Sequence, residues 1–288
     1  MASLRVAAAS WEVRQIPNLQ AFLDHCTDLV SQAIEQGAQL VVLPESIDLE
    51  RISYHGIVPQ DQVARTLAPD FPEVQAHFEF LSRTHSVTIL AGTHIHELND
   101  AFYNSALICT PSGSFTQSKN VLTQWELAEW QIQGGNGLTF DSYLEFGTMV
   151  CYDSEFPPAA RALCEAGAKI LAVPAYTEVR RGFNRVRWSC HARTVECQTF
   201  VIHASLVGSL GREPVTTTFG SSAVLCPSVA PFKETGILAE TPFNQEAIAI
   251  ADIDLDLIDI ARDGDDVRNW HDRDRGNWTV TEFRPTQP

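Results

Sequence analysis

Three short segments of this chain put a reactive group where a strand gives way to a turn. In LVVLPES, Glu45 follows a continuous apolar run (40–44), and Pro44 breaks off the strand because it has no N–H for the ladder. A carboxylate there leaves the core at the rim of a sheet, where it can move protons. A solvated loop glutamate is the plainer alternative. In SKNVLTQWELAEW, Lys119 lies in a strand with Glu126 and Glu129 soon after. These groups could hold one another's charge, or simply decorate a surface. In GTMVCYDSEFPP, Cys151 ends an apolar strand just before a helix that opens near Pro157. A thiol between a strand end and a helix N-terminus can be held as thiolate by the helix dipole, which would make it a nucleophile. The alternative is an inert, packed cysteine.

The elements that must position these groups alternate along the chain. LRVAAAS (4–10) reads as a strand, followed after Asn18 by a helical face of Leu19, Phe22, Leu23, Cys26, Leu29, Val30, Ala33 and Ile34, stopped by Gly37. The run 40–44 is a strand buried on both faces. A helix covers about 71–85 and a strand 87–95, then a hairpin joins 102–110 to 115–121 through Pro111-Ser112-Gly113-Ser114. The second half repeats the theme: strand 143–151, helix 157–167, strand 168–175, helix about 183–198, and strands 199–205, 221–227 and 247–255. No linker and no internal repeat separates the halves. The pattern predicts one α/β domain over 1–262, with sheets covered by helices. Residues 263–288 form a polar tail whose Trp270 and Trp278 need something to pack on, either this domain or a partner subunit.

Composition excludes several classes. The 288 residues carry 20 Lys plus Arg against 36 Asp plus Glu, a formal net charge of −16, which disfavours nucleic-acid and anionic-membrane surfaces. No apolar run approaches the ~20 residues of a membrane span, and the start lacks the pattern of a signal peptide. Seven scattered cysteines without CxxC spacing argue against a zinc knuckle or a thioredoxin motif and predict a reducing, cytoplasmic setting. His94 and His96 share a strand face, but no carboxylate or cysteine is placed to complete a metal site. No metal and no cofactor are expected. Arg180, Arg181, Arg185 and Arg187 cluster after the strand 168–175. They either pair with acidic neighbours or wall a pocket for an anionic substrate.

Taken in order, LVVLPES with Glu45, KNVLTQWE with Lys119 and CYDSEFP with Cys151 resemble the signatures of the carbon–nitrogen hydrolase (nitrilase-like) superfamily, and the spacings suit it. The resemblance implies a four-layer αββα sandwich with the site at one rim, and a homodimer or higher homo-oligomer to which the tail contributes. It also implies a second glutamate beside the lysine, for which Glu126 is chosen over Glu129, and an Arg193–Glu196 pair supporting the active-site rim. By this resemblance Cys151 is the nucleophile and Glu45 the general base, while Lys119 and the backbone N–H of Tyr152 hold the oxyanion. Tyr176, Thr177, Arg180 and Arg181 are the candidate substrate-binding residues. The expected substrate is a small amide or carbamoyl compound. A true nitrilase is the chemical alternative, although that branch typically has Trp-Glu after the nucleophile where this chain has Tyr152-Asp153. A catalytically silent binding or scaffold member of the same fold is the alternative from another class.

Overall fold

The computed structural model describes residues 3–264, 266–276 and 278–282. Its elements run β1 (Leu4–Val13), α1 (Leu19–Glu35), β2 (Leu40–Val42), α2 (Val63–Leu67), α3 (Phe71–His85), β3 (Thr88–Leu98), β4 (Ala101–Thr110) and β5 (Gly113–Ser118). They continue with β6 (Phe140–Asp141), β7 (Phe146–Thr148), α4 (Pro157–Glu165), β8 (Ile170–Ala175), α5 (Arg180–Glu196), β9 (Phe200–Gly208), β10 (Ala223–Leu225), β11 (Ile237–Glu240), β12 (Ala247–Ile253), α6 (Asp256–Asp263) and α7 (Asn269–Asp272).

The strands form two sheets that meet along β1 and β9. The first runs β5-β4-β3-β2-β1 with β12 antiparallel on β1; the second runs β6-β7-β8-β9-β10-β11. β1 serves both: Leu4–Ser10 pair with β12, while Trp11–Val13 pair in parallel with Leu206–Gly208 of β9. Strand alternation sorts the core. Ala7, Ala9 and Trp11 of β1, Val41 of β2 and Ile89 of β3 pack with the apolar face of α1 and α3. Val6, Ala8, Leu40, Val42 and Leu90 point the other way, into the core they share with β8 and β9. Helix, sheet, sheet and helix therefore succeed one another, as the sandwich expectation requires. α1 starts where Asn18 caps it, its side chain accepting from the Ala21 N–H at 3.0 Å.

Three expected elements differ in ways that matter for the site. The strand expected over 143–151 is paired only at Phe146–Thr148, and Cys151 opens a tight turn, Cys151–Glu155, with φ +45°. The Asp153 carboxylate draws the chain into that turn by accepting the Val150 N–H at 3.3 Å. α4 begins only at Pro157, so the thiol does not sit on a helix N-terminus. Lys119 lies one residue beyond β5 rather than within a strand. In the tail, Trp270 packs on its own domain, held between the Arg262 and Arg273 guanidinium groups at 4.5 and 4.0 Å from its ring. Trp278 is exposed, and residues 283–288 of the expected tail lie outside the described residues. Among the described residues no helix is long and apolar enough to cross a membrane.

Candidate active site

Glu45 is held by β3 and by the residue that follows β8. The Pro44 carbonyl accepts the Thr93 N–H at 3.2 Å, and the Ser46 N–H donates to Thr93 Oγ1 at 2.9 Å. This close approach of β3 requires Gly92: its φ is +75°, and a Cβ there would stand 2.2 Å from the Pro44 oxygen. The Tyr176 N–H, at the end of β8, donates to Glu45 Oε2 at 2.9 Å. Lys119 is fixed just as firmly. Its own N–H reaches the Asn104 carbonyl at 2.8 Å, and the next two N–H groups, of Asn120 and Val121, donate to Asp153 at 3.2 and 2.7 Å. Asp153 thus ties the lysine loop to the cysteine turn.

The side chains converge. Lys119 Nζ donates to Glu45 Oε1 and to Glu126 Oε2, each at 2.8 Å. Glu126 also accepts from the N–H and hydroxyl of Thr123, both at 2.8 Å. Glu126, not Glu129, therefore meets the ammonium, because the chain from Thr123 folds back into a short helical turn, Glu126–Trp130. Cys151 Sγ lies 3.6 Å from the Tyr176 carbonyl. Glu45, Lys119, Glu126 and Cys151 all line one cavity of about 250 Å³, joined by Tyr152, Tyr176 and Thr177. A larger hollow of about 1110 Å³ between α4, the end of α5 and the tail contains none of the four.

Burial sets the charges. All four groups are almost inaccessible, and burial by itself disfavours every charged form. For Lys119 the adjacent Glu45 and Glu126 outweigh that penalty and raise its pKa, so the ammonium is permanent. Burial and the nearby Glu126 charge raise Glu45, against the pull of Lys119. Glu126 stays below its ordinary value despite burial, because Lys119, Thr123 and Asn104 all stabilise the carboxylate. Burial and the Glu45 charge push the Cys151 thiol well up. Burial thus favours the neutral thiol of Cys151, beside a carboxylate whose pKa is also raised, and no helix N-terminus stands at the sulfur to hold a thiolate.

Other sequence candidates fall elsewhere. Arg180 and Arg181 do not line the cavity; the Arg180 guanidinium lies over the Phe219 ring at 5.7 Å. Arg185 does line it, with Glu155 at 3.4 Å, and Glu178 and Trp125 complete that wall. Arg187 is buried against His203 and the Ser221 carbonyl. Arg193 pairs with Glu196 at the far end of α5, beside the tail hollow rather than the rim of the site. His94 donates its Nε2–H to the Ala91 carbonyl, and burial lowers its pKa to about 3, while His96 meets the Ser105 hydroxyl. Sequence reasoning missed Asn104, whose side-chain amide donates to both Glu45 at 3.0 Å and Glu126 at 3.1 Å. The only signal was its position on the strand that pairs with the lysine segment.

Comparison with known proteins identifies the family. The model of the carbon–nitrogen hydrolase family matches residues 5–263. The chain is 29% identical to the probable hydrolase YhcX of Bacillus subtilis, over 94% of this chain but only 54% of that protein, so it spans about half of that relative's length. It is 26% identical to the deaminated glutathione amidase of Dictyostelium discoideum, covering 85% of this chain and 86% of that one. The carbon–nitrogen hydrolase of Helicobacter pylori shares the fold, with a TM-score of 0.75 at 20% identity, over 91% of this chain and 92% of that one. Two sheets joined at β1, three motifs brought to one buried cavity, and a family model covering nearly all of the sequence lead to one conclusion: the chain belongs to the carbon–nitrogen hydrolase family.

Proposed function

We propose that the protein hydrolyses the C–N bond of a small amide or carbamoyl compound through a thioester on Cys151. The observation that carries this reading is the convergence of Glu45, Lys119, Glu126 and Cys151 on one small cavity. Glu45 takes the thiol proton as sulfur attacks the carbonyl carbon, and the C=O pair moves onto oxygen. Lys119 and the Tyr152 N–H stabilise that oxyanion. The oxygen pair then reforms the carbonyl, the C–N bond breaks, and Glu45 returns its proton to the departing nitrogen. Glu45 next deprotonates a water that attacks the thioester, and the expelled sulfur takes the proton back. Glu126 keeps Lys119 charged and directed throughout.

Amides are favoured over nitriles on the Tyr152-Asp153 pair that follows the nucleophile, and the amidase named among the relatives supports the same choice. Arg185, rather than Arg180 and Arg181, would meet an anionic group of the substrate, and Tyr176 and Thr177 line the same cavity. Seven buried, free cysteines accord with a cytoplasmic site of action, and the tail beyond residue 262 would serve a contact between copies of the chain in a homo-oligomer. The test is a panel of small amides, carbamoyl compounds and nitriles, scored by ammonia release and by intact mass. An acyl adduct on Cys151 with amides supports the reading. Turnover of nitriles alone would transfer the protein to the nitrilase chemistry. Turnover that survives loss of the Cys151 thiol would end the proposal, and no adduct or turnover with any member would favour the silent scaffold.

A further inference from the structure

Two carboxylates buried side by side share one cation. Lys119 Nζ fills one gap between them, donating to Glu45 Oε1 and Glu126 Oε2. The opposite gap is filled by Asn104 Nδ2, which donates to Glu45 Oε1 and Glu126 Oε1. The four groups form a closed ring of alternating donors and acceptors. The ring has a consequence for the base. Both of its donors fall on Oε1 of Glu45, so that oxygen is saturated from the Asn104 side. Oε2 accepts from the Tyr176 N–H and keeps a lone pair that can take a proton from Cys151, whose thiol interacts with this carboxylate. The amide orientation follows from chemistry, because reversing it would set the Asn104 oxygen against two carboxylates. In this orientation Oδ1 is buried with no partner among the described residues. A polar atom left unsatisfied in the core is costly, and here the two donated hydrogens are what that cost sustains.

We propose that Asn104 is a positioning residue that keeps Glu45 ionised and presents its free oxygen toward Cys151, by donating both amide hydrogens into the gap between the two buried carboxylates. The inference rests on the reading of Glu45 as base to Cys151. Removing the two donors leaves one ammonium for two carboxylates, and like charges in a dry site resist joint ionisation. The pair then holds a proton to higher pH. The charged and titratable groups facing Glu45 are Lys119 beyond β5, Glu126 on its helical turn, Cys151 on its own turn and the Tyr176 phenol beyond β8, with Asp153 behind Lys119. Each is retained in the variants below, so a change in profile reports the missing donors.

The experiment follows alkylation of Cys151 by iodoacetamide between pH 5 and 10, resolved at that cysteine by mass spectrometry, and therefore needs no known substrate. Asn104→Leu removes both donors and is expected to move the inflection of the rate up by about one pH unit. Asn104→Ser keeps a single hydroxyl donor and should move it less. Asn104→Asp adds a third carboxylate and should move it most. Thermal melting identifies which variants are folded, and any two folded variants suffice for the ordering. Inflections within about 0.2 unit of the parent in folded variants would overturn the inference and make Asn104 a structural residue only. Glu45→Gln separates the two readings. If it leaves the parent profile intact, the base role fails and this inference with it. If it changes the profile while the Asn104 variants do not, only the inference falls.

Discussion

The molecule contains two buried assemblies in which a cation lies between two glutamates, and they do different things. In the first, Lys119 bridges Glu45 and Glu126. In the second, His25 bridges Glu50 through Nδ1 at 2.9 Å and Glu246 through Nε2 at 2.7 Å. Trp11 Nε1 donates to Glu50 at 2.7 Å, and Arg14 stands at 3.5 Å. Both assemblies tie distant parts of the chain together. The first lines a cavity that also holds the Cys151 thiol. None of the second's three residues lines that cavity, and the thiol near it, Cys26, is packed in the core beside Glu50. A buried glutamate pair with its cation is thus a fastening by default, and on the reading proposed above it becomes reactive when one carboxylate oxygen is left free beside a thiol and a space for substrate. The cations differ as well: lysine stays charged across the working range, whereas histidine bridges two carboxylates as a cation only while it keeps both protons.

Removing the thiol breaks the first assembly's chemistry and leaves its fastening alone. Cys151→Ala should cost at least about 10⁴-fold in turnover, because it removes the thiol proposed to carry the acyl intermediate. The melting temperature should change little, since Lys119 keeps both glutamates. Glu45→Gln should cost about 10²–10⁴-fold, the usual range for a lost general base. Ammonia release under saturating amide measures both. A cysteine variant with near-normal rates would show that the reactive assembly lies elsewhere.

The second assembly should break in the opposite sense, through stability. His25→Ala leaves buried Glu50 with only the half-exposed Arg14 as its cation, and breaking one partner of a buried pair costs up to about 3–5 kcal/mol. Burial opposes the charge on His25, but its hydrogen bonds to Glu246 and Glu50 outweigh that and raise its pKa. A raised folded value means that the native state binds the proton more tightly. The stabilisation is therefore complete below the unfolded value of ~6.5 and is lost as pH rises through the raised folded one. Denaturant melts of the parent should weaken over that window, while those of the His25→Ala variant should stay level. His94 and His203, held below their ordinary values by burial, titrate on the acid side and leave the window clear. Parallel slopes for parent and variant would show that His25 carries no charge in the native state.

The two assemblies were unequally legible in the sequence. Glu45, Lys119 and Cys151 each sit in a short motif, so residue type and neighbours identify them without any knowledge of what touches what. His25, Glu50 and Glu246 carry no local mark; they are separated by up to 221 residues and meet only because β12 returns beside β1. Asn104 was invisible for the same reason, one polar residue in an ordinary alternating strand. The strand 143–151 was read too long because apolar character continues through Met149 and Val150, whereas the backbone turns to satisfy Asp153. The arginines from 180 to 187 were read as one patch. A helix turns about 100° per residue, so α5 sends them to an aromatic ring, a cavity wall and the core in turn.

That dispersal yields the smallest expected effect. Arg185 is about half exposed, and its ion pair with Glu155 at 3.4 Å contributes at most about 1 kcal/mol to stability. Melting should therefore hardly register Arg185→Ala. Arg185 also lines the cavity that holds Cys151, where its guanidinium could take a substrate carboxylate in a fork. An amide bearing such a group should lose about three- to tenfold in kcat/KM in Arg185→Ala, mostly in KM, because the contact is made equally in the ground and transition states. A neutral amide of similar size should change less than twofold. The double change Arg180→Ala, Arg181→Ala serves as the contrast, since Arg180 sits on Phe219 and neither side chain reaches the cavity. If the double variant discriminates between the two amides and Arg185→Ala does not, the anion is met outside the cavity seen here, and the wall formed by Arg185, Glu155 and Glu178 has no part in selecting substrate.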